Sequence, residues 1–218
     1  MELIKSISGI RGIFNKSLTI QNSTIFSKKF ATQQKNGPIL LARDTRPHGE
    51  QIYDNILKSL NSIGKDVISC NIIPTPTAQY IIKQNNYAGG IVVTASHNPI
   101  EWNGLKFLDY DGCFLNEAKM KIILNDNYIK KSSTKSGIVT DYNRAIIEHI
   151  ENVLNLKCLN SELIKNKKFK VVVDTVNGAA YEALPSLLKK LNCKVVKIHC
   201  SNDGTFPRGT EPIPSHLN

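Results

Sequence analysis

The chain has 218 residues with an ordinary globular composition, of which 41% are hydrophobic and 21% charged. This composition does not fit a protein that is disordered over most of its length. The formal net charge of +10 would attract phosphate on nucleic acid, membranes or small molecules. The lysines are scattered, however, and no aromatic-interleaved basic stripe or nucleic-acid motif occurs, so we expect no nucleic-acid partner.

The cysteines and the N-terminus indicate the compartment. The five cysteines are odd in number and lack CxxC spacing, which indicates neither a complete disulfide framework nor a zinc site. Residues 1–12 lack an apolar signal core, and no run approaches the roughly 18 apolar residues of a membrane span. We therefore expect a cytoplasmic protein without a membrane partner, and the sequence leaves its oligomeric state open.

Short apolar runs alternate with helix-period segments from Ile39 onward, which predicts α/β layers. The elements expected in the first half are, in chain order, a strand at 39–42, a helix over 48–63 ended by Gly64, a strand at 66–70, a helix that begins near Thr75 or Thr77, and a strand at 89–94. The loop that follows this last strand lies at a strand end, where α/β proteins place their chemistry.

A polar stretch at residues 130–137 is typical of a linker or a surface loop. We expect a domain boundary there, with a first domain at residues 1–136 and a second, incomplete domain at 137–218. The elements expected in the second half are a helix over 141–156, a strand at 169–175, a helix that opens at Gly178-Ala179-Ala180, a strand at 193–200 and a loop over 201–218.

The strongest local chemical signal is the sequence TASHNP at residues 94–99. A serine hydroxyl such as that of Ser96 is a weak nucleophile unless a neighbour accepts its proton, and a phosphoserine needs nearby donors or a cation. His97 can exchange a proton near neutral pH, and Lys106 can neutralise phosphate or, if its pKa is lowered, act as a base. A loop of this composition also suits a plain Asx or proline turn, so both interpretations stay open at this point.

The TASHNP loop, followed by Asn103-Gly104-Leu105-Lys106, resembles the phosphoserine loop of the α-D-phosphohexomutases. This family includes phosphoglucomutases, phosphomannomutases and phosphoglucosamine mutases. Other segments agree in order and spacing: SGIRG at 8–12, ARDTR at 42–46, VVDTVNGAA at 172–180 and GTFPRGTEPIPSHL at 204–217. The resemblance covers essentially the whole chain and implies mixed-sheet α/β layers, with the first domain complete and the second partial.

The same resemblance implies an intramolecular phosphotransferase. Phosphorylated Ser96 would give its phosphoryl group to a hexose phosphate, and a bound 1,6-bisphosphate would return the other phosphate. The implied catalytic residues are Arg11, Ser96, His97 and Lys106, of which Arg11 and Lys106 also bind substrate. The implied cofactor is Mg²⁺, which meets Ser96 through its phosphate, and Arg11 is expected in a loop beside that phosphate.

The chain also departs from the family pattern. Alanine stands at Ala42 where glycine is usual, and Thr210 stands where proline is common. Family members continue into an aspartate-rich metal loop beyond the position of Asn218, while Asp109 and Asp111 are expected in a hairpin turn. We therefore expect an N-terminal fragment that turns over little by itself.

Arg43, Asp44 and Arg46 are expected to form a structural ion-pair and capping cluster rather than catalytic groups. The sequences LIKSISGIRG, HNPIEWNGLKF and EPIPSHL are most similar to phosphoglucosamine mutases, with phosphomannomutase or phosphoglucomutase as the alternatives. An inactive truncated module that binds a sugar phosphate is a further possibility. A nucleic-acid binder is favoured only by the net charge.

Overall fold

The computed structural model of the protein describes residues 2–125 and 133–216. Its elements, in chain order, are β1 (Ile4–Ser6), β2 (Gly9–Ile13), α1 (Ile20–Gln33), β3 (Ile39–Arg43), α2 (Gly49–Asn61), β4 (Val67–Ile72), α3 (Thr75–Gln84), β5 (Gly89–Val93), β6 (Trp102–Leu108), α4 (Glu117–Leu124), β7 (Val139–Asp141), α5 (Ala145–Leu154), α6 (Ser161–Lys167), β8 (Lys170–Asp174), α7 (Ala183–Lys190), β9 (Lys194–Ile198) and a short 3-10 helix (Pro214–His216).

Seven strands form one mixed sheet in the order β1-β2-β6-β5-β3-β4-β7. Strands β5, β3, β4 and β7 are parallel neighbours, whereas β1, β2, β6 and β5 pair in antiparallel fashion. The carboxyl ends of β3 and β5 therefore lie side by side at one edge of the sheet. The expected mixed-sheet α/β fold is confirmed.

The sheet is buried on both faces because β3 alternates between two hydrophobic cores. Leu41 packs with Phe30 of α1 and Ile56 of α2 on one face. Leu40 packs with Ile81 of α3 on the other face, which α5 also covers. Successive strand residues point to opposite faces, so a continuous apolar run is what a doubly covered strand requires.

Local sequence explains where several helices begin and end. Thr19 and Asn22 form a reciprocal capping box at the start of α1, which satisfies backbone amides that have no partner within the helix. Apolar residues at three- and four-residue spacing bury one face of α2. Gly64 follows that helix with a φ of 77°, a conformation that glycine adopts without strain. The predicted end of α2 is thus confirmed within a few residues.

Three sequence expectations need correction. Residues 8–12 do not form a loop, because Gly9–Ile13 is the strand β2, hydrogen-bonded on both sides. The helix expected from Gly178 begins only at Ala183, because Val176 and Asn177 have positive φ and form a turn. The helix expected from 141 begins at Ala145, because the preceding residues pair with β4. Strands β1, β6 and β7 and helices α1, α4 and α6 were not predicted.

The second half of the chain contains a separate two-stranded parallel sheet of β8 and β9. The domain boundary between residues 136 and 137 stays a prediction, and β7, which lies beyond it, joins the first sheet. Of the predicted linker, residues 130–132 lie outside the described residues. Within residues 2–125 and 133–216, no helix is long and apolar enough to cross a membrane.

Candidate active site

Residues 94–101, called here the serine loop, connect the carboxyl end of β5 to β6. Ser96 and His97 are exposed in this loop. Ser96 has a φ of 59°, which is the left-handed region that few non-glycine residues enter. Its backbone amide donates to Oγ1 of Thr94 at 3.0 Å. The loop backbone therefore needs strong external support to hold this conformation.

Arg46 supplies that support. Its side chain is fully buried. Nη1 donates to the carbonyls of Pro99 at 2.6 Å and Trp102 at 2.9 Å. Nη2 donates to the carbonyls of Asn98 at 2.6 Å and Ser96 at 3.1 Å. A single guanidinium thus fixes three carbonyls of the loop and one at the start of β6 with charge-assisted hydrogen bonds.

Asp44 holds this arginine in place. Its Oδ2 accepts from Nε of Arg46 at 3.2 Å and from Oγ1 of Thr94 at 2.6 Å. Burial raises the pKa of Asp44, and the charge and hydrogen bonds of Arg46 and Thr94 oppose that shift. The predicted Asp44–Arg46 ion pair is confirmed. Arg43 does not bind the Asp44 carboxylate: its Nε donates to Oδ1 of Asn71 at 2.9 Å and its Nη1 to the backbone carbonyl of Asp44 at 3.3 Å, and its Nη2 lies 3.8 Å from the carboxylate of Glu50.

Arg11 reaches the serine loop from the neighbouring strand β2. Its guanidinium donates to Oδ1 of Asn98 at 3.2 Å and to Oγ of Ser8 at 2.9 Å. Its cross-strand partner in β6 is Gly104. A Cβ atom at Gly104 would lie 2.9 Å from Cγ of Arg11 and 2.3 Å from the carbonyl oxygen of Ile10. A side chain at position 104 would collide with the side chain of Arg11, so this position requires glycine.

Lys106 lies two residues beyond Gly104 in β6, so its side chain is on the same face of the sheet as Arg11. Its ammonium lies 5.4 Å from the ring centroid of Phe114. Burial lowers the pKa of Lys106, the charge of Arg11 lowers it further, and Asp44 acts in the opposite direction. Two cationic groups are thus held together on one face, beside the loop that carries Ser96.

The structure therefore brings three of the four expected catalytic residues, Arg11, Ser96 and Lys106, to one edge of the sheet. His97 is exposed next to Ser96, and its backbone carbonyl accepts a hydrogen bond from Oγ1 of Thr210. The catalytic roles of all four remain predictions. Sequence reasoning missed the contact of Thr210, and its only signal was a threonine where proline is common.

The described residues do not provide a Mg²⁺ site. Within residues 2–125 and 133–216, no group of three or more His, Cys, Asp or Glu side chains could hold a metal ion. Asp109 accepts from Lys119, and Asp111 accepts from the amide of Cys113 at 2.9 Å in the expected turn. A phosphate on Ser96 would supply only part of the ligands that a metal ion needs.

Comparisons with known proteins identify both halves of the chain. Residues 3–134 match the family model of phosphoglucomutase/phosphomannomutase alpha/beta/alpha domain I, and residues 147–218 match that of domain II. A phosphoglucomutase/phosphomannomutase of Thermococcus kodakarensis is 36% identical over 96% of this chain and 47% of its own length. A phosphoglucosamine mutase of Prochlorococcus marinus is 34% identical over 94% of this chain and 45% of its own length.

Solved structures agree with this relationship. A phosphoglucomutase/phosphomannomutase family protein from Burkholderia thailandensis has a TM-score of 0.78 at 25% identity, covering 95% of this chain and 47% of that one. A putative phosphomannomutase from Thermus thermophilus, at 21% identity, has the same fold, with a TM-score of 0.85 over 99% of this chain and 50% of its own. The chain spans about half the length of the curated relatives it matches. Since the two family models together match most of its residues, the chain belongs to the phosphoglucomutase/phosphomannomutase family, the phosphohexomutases.

Proposed function

We propose that this chain is part of a phosphohexomutase that interconverts hexose 1-phosphate and hexose 6-phosphate through a phosphoserine at Ser96. The observation that carries this proposal is the support of the serine loop. The buried Asp44–Arg46 pair holds the loop backbone, so that an exposed serine stands at the carboxyl edge of the sheet. Arg11 and Lys106 bring positive charge to the same place.

The proposed transfer step balances without a further reactant. A hydroxyl oxygen of the bound hexose monophosphate attacks the phosphorus on Ser96, the bond between phosphorus and Oγ breaks, and Oγ leaves with the electron pair. The sugar hydroxyl loses its proton to a base and Oγ gains a proton as it leaves; both proton transfers are reversed when Oγ later attacks the phosphorus at the other end of the bisphosphate and the sugar oxygen there leaves. Such transfer depends mainly on alignment and on neutralising the phosphate oxygens.

The charges of Arg11 and Lys106 suit that neutralising role. Arg11 presents a planar guanidinium that can donate two parallel hydrogen bonds to a phosphate. The lowered pKa of Lys106 makes its neutral amine easier to form, so Lys106 is proposed to take the proton of the sugar hydroxyl and then, as the resulting ammonium, to neutralise phosphate charge. His97 is the proposed group for proton exchange with solvent. Mg²⁺ is the proposed cofactor, with the phosphate of Ser96 among its ligands and the others from outside the described residues.

The proposed substrate is a glucosamine phosphate. Relatives of this chain from Prochlorococcus marinus and Sulfurisphaera tokodaii are named phosphoglucosamine mutase and phosphoglucosamine/phosphogalactosamine mutase. The Thermococcus relative is named phosphoglucomutase/phosphomannomutase, so glucose and mannose phosphates are the alternatives. Turnover rates measured side by side with glucosamine, glucose and mannose phosphates would show which of the three is the substrate.

The decisive experiment compares the wild type, Ser96→Ala and Ser136→Ala at the protein's natural length. Ser136 is an exposed serine in the connection before β7 and serves as the matched control. We expect Ser96→Ala to lower turnover about a thousandfold or more, as loss of a nucleophile does, and to abolish labelling by a hexose 1,6-bisphosphate carrying radioactive phosphate. Peptide mass spectrometry should place the label of the wild type on Ser96.

Two other outcomes would separate the alternatives. Tight binding of sugar phosphate by a wild-type protein that neither turns over nor becomes labelled would support the inactive binding module. Robust turnover by residues 1–218 alone would contradict the expectation that this part of the protein is nearly inactive by itself. The cytoplasmic location and the absence of a nucleic-acid partner stay predictions.

A further inference from the structure

Residues 203–210, called here the strap, return from the second half of the chain to the serine loop. The strap is anchored on its own side by Asn177, whose Nδ2 donates to Oδ1 of Asp203 at 2.9 Å and to Oγ1 of Thr205 at 3.0 Å. Arg208 adds a hydrogen bond of 2.6 Å from Nε to Oδ2 of Asp174. The strap is therefore fixed to the turn and strand that precede α7.

The strap then packs against the residues that support the serine loop. Gly204, with a φ of 63°, lies so close to the first half of the chain that a Cβ atom there would be 2.0 Å from the carbonyl oxygen of Thr45. The ring centroid of Phe206 lies 5.3 Å from the guanidinium carbon of Arg46. Thr45 also donates to the carbonyl of Asn177 at 2.7 Å. The strap thus contacts the same arginine that holds the loop.

Thr210 ends the strap directly on the loop. Its hydroxyl contacts the carbonyl oxygen of His97 and lies 2.9 Å from that of Asn98. Arg46 already donates to the carbonyls of Ser96, Asn98 and Pro99. Every carbonyl from residue 96 to residue 99 therefore has a donor, and the carbonyl of His97 obtains its donor from Thr210.

We infer that Thr210 is a positioning residue for phosphoryl transfer at Ser96. The peptide between His97 and Asn98 can turn only if the carbonyl of His97 gives up its bond to Thr210, so the Thr210 hydroxyl holds the loop backbone one residue after Ser96. In-line transfer is sensitive to such alignment. The catalytic part of this inference rests on the proposed function, whereas the ordering of the loop by Thr210 does not.

The test uses three variants at the protein's natural length. Thr210→Val keeps the shape and removes the donor, Thr210→Ser keeps the donor, and Thr140→Val is a matched change at an exposed threonine of β7. Amide hydrogen exchange is measured by mass spectrometry in peptides that cover residues 94–102 and β3. Turnover is measured with the hexose phosphate that the wild type uses best.

We expect Thr210→Val to speed exchange in residues 94–102 by about fivefold, the effect of losing one ordinary hydrogen bond, while exchange in β3 stays unchanged. The value of kcat should fall by about fivefold or more, with KM within about twofold. Thr210→Ser should restore both exchange and kcat, and Thr140→Val should match the wild type.

The inference is overturned if Thr210→Val leaves loop exchange and kcat unchanged. It is also overturned if exchange rises equally in β3, since Thr210 would then support only the general stability of the fold. If the wild type shows no phosphoryl transfer, the proposed function fails instead. The exchange comparison would still decide whether Thr210 orders the loop.

Discussion

Each half of the chain contains an aspartate–arginine pair at the carboxyl end of a parallel strand, and the two pairs behave differently. Asp44 follows β3 and accepts from Nε of Arg46 at 3.2 Å. Asp174 ends β8 and accepts from Nε of Arg208 at 2.6 Å. The arginine side chain is 0% exposed in the first pair and 19% exposed in the second. The same two residue types therefore act in a fully buried and in a partly exposed environment.

Burial decides what each pair does to its carboxylate. Burial raises the pKa of Asp44 in spite of Arg46. Burial would also raise the pKa of Asp174, but hydrogen bonds from Arg208, the amide of Val176 and His199 outweigh it, and the pKa is lowered. A charge pair in the interior costs desolvation that its own attraction only partly returns. The first pair is therefore retained for what it organises, the serine loop.

The largest expected effect is the loss of stability when Arg46, the buried arginine, is replaced. Arg46→Met should lower the free energy of unfolding by about 3 to 5 kcal/mol, because it leaves a buried carboxylate without its partner and removes four charge-assisted hydrogen bonds to backbone carbonyls. Urea unfolding followed by circular dichroism measures the loss. The control Arg144→Met removes an exposed ion pair with Glu148 and should cost no more than about 0.5 kcal/mol. A loss for Arg46→Met as small as the control would contradict the interpretation.

A smaller effect is expected at the second arginine. Arg208→Met should cost about 1 kcal/mol, because Asp174 keeps its hydrogen bond from the amide of Val176 at 2.8 Å. Nη1 of Arg208 is buried and has no hydrogen-bond partner among the described residues, so its removal also relieves an unsatisfied donor. The same urea experiment measures this cost. A cost equal to that of Arg46→Met would end the distinction between the two pairs.

The smallest expected effect is the pH dependence of the two aspartates, which should have opposite signs. The raised pKa of Asp44 gives a contribution to stability that is fully present below the ordinary value of 3.8 and is lost as pH rises through the raised pKa. The lowered pKa of Asp174 gives a contribution that is present above 3.8 and is lost as pH falls through the lowered pKa.

Urea unfolding of the wild type, Asp44→Asn and Asp174→Asn from about pH 3 to about pH 8 measures both signs. The stability difference between wild type and Asp44→Asn should shrink as pH rises. The stability difference between wild type and Asp174→Asn should grow as pH rises through the acid part of the range. Slopes of the same sign would show that burial does not separate the two carboxylates.

The sequence predicts the central part of the sheet well, because these elements depend on local patterns. Strands β3 and β5 are largely apolar runs, and α2 has one apolar face. Strands β1 and β2 and helix α1 were missed because their signals are not local. Gly9–Ile13 becomes a strand through pairing with β6, which follows about 90 residues later. Helix α1 buries Ser23, Ser27 and Lys29, which a hydrophobic pattern does not reveal.

The residues of the candidate site fall into the same two groups, those with a recognisable sequence signal and those without one. Ser96, Arg11 and Lys106 are recognisable from the sequence through their resemblance to a known loop and its neighbours. The complete burial of Arg46 is not, since an arginine is ordinarily exposed and its partners are backbone carbonyls that no side-chain pattern records. The contact of Thr210 joins residues more than 100 positions apart in the chain. Only the folded backbone brings such groups together.

The left-handed backbone at Ser96 also restricts which amino acid could carry the proposed phosphate. Threonine has a hydroxyl that can be phosphorylated, but its β-branched side chain is strongly disfavoured at positive φ. Aspartate tolerates this conformation better, because its short polar side chain can form local hydrogen bonds. Between serine and threonine the fold therefore selects serine on steric grounds, independently of chemical reactivity. A lasting negative charge at this position is best imitated by aspartate.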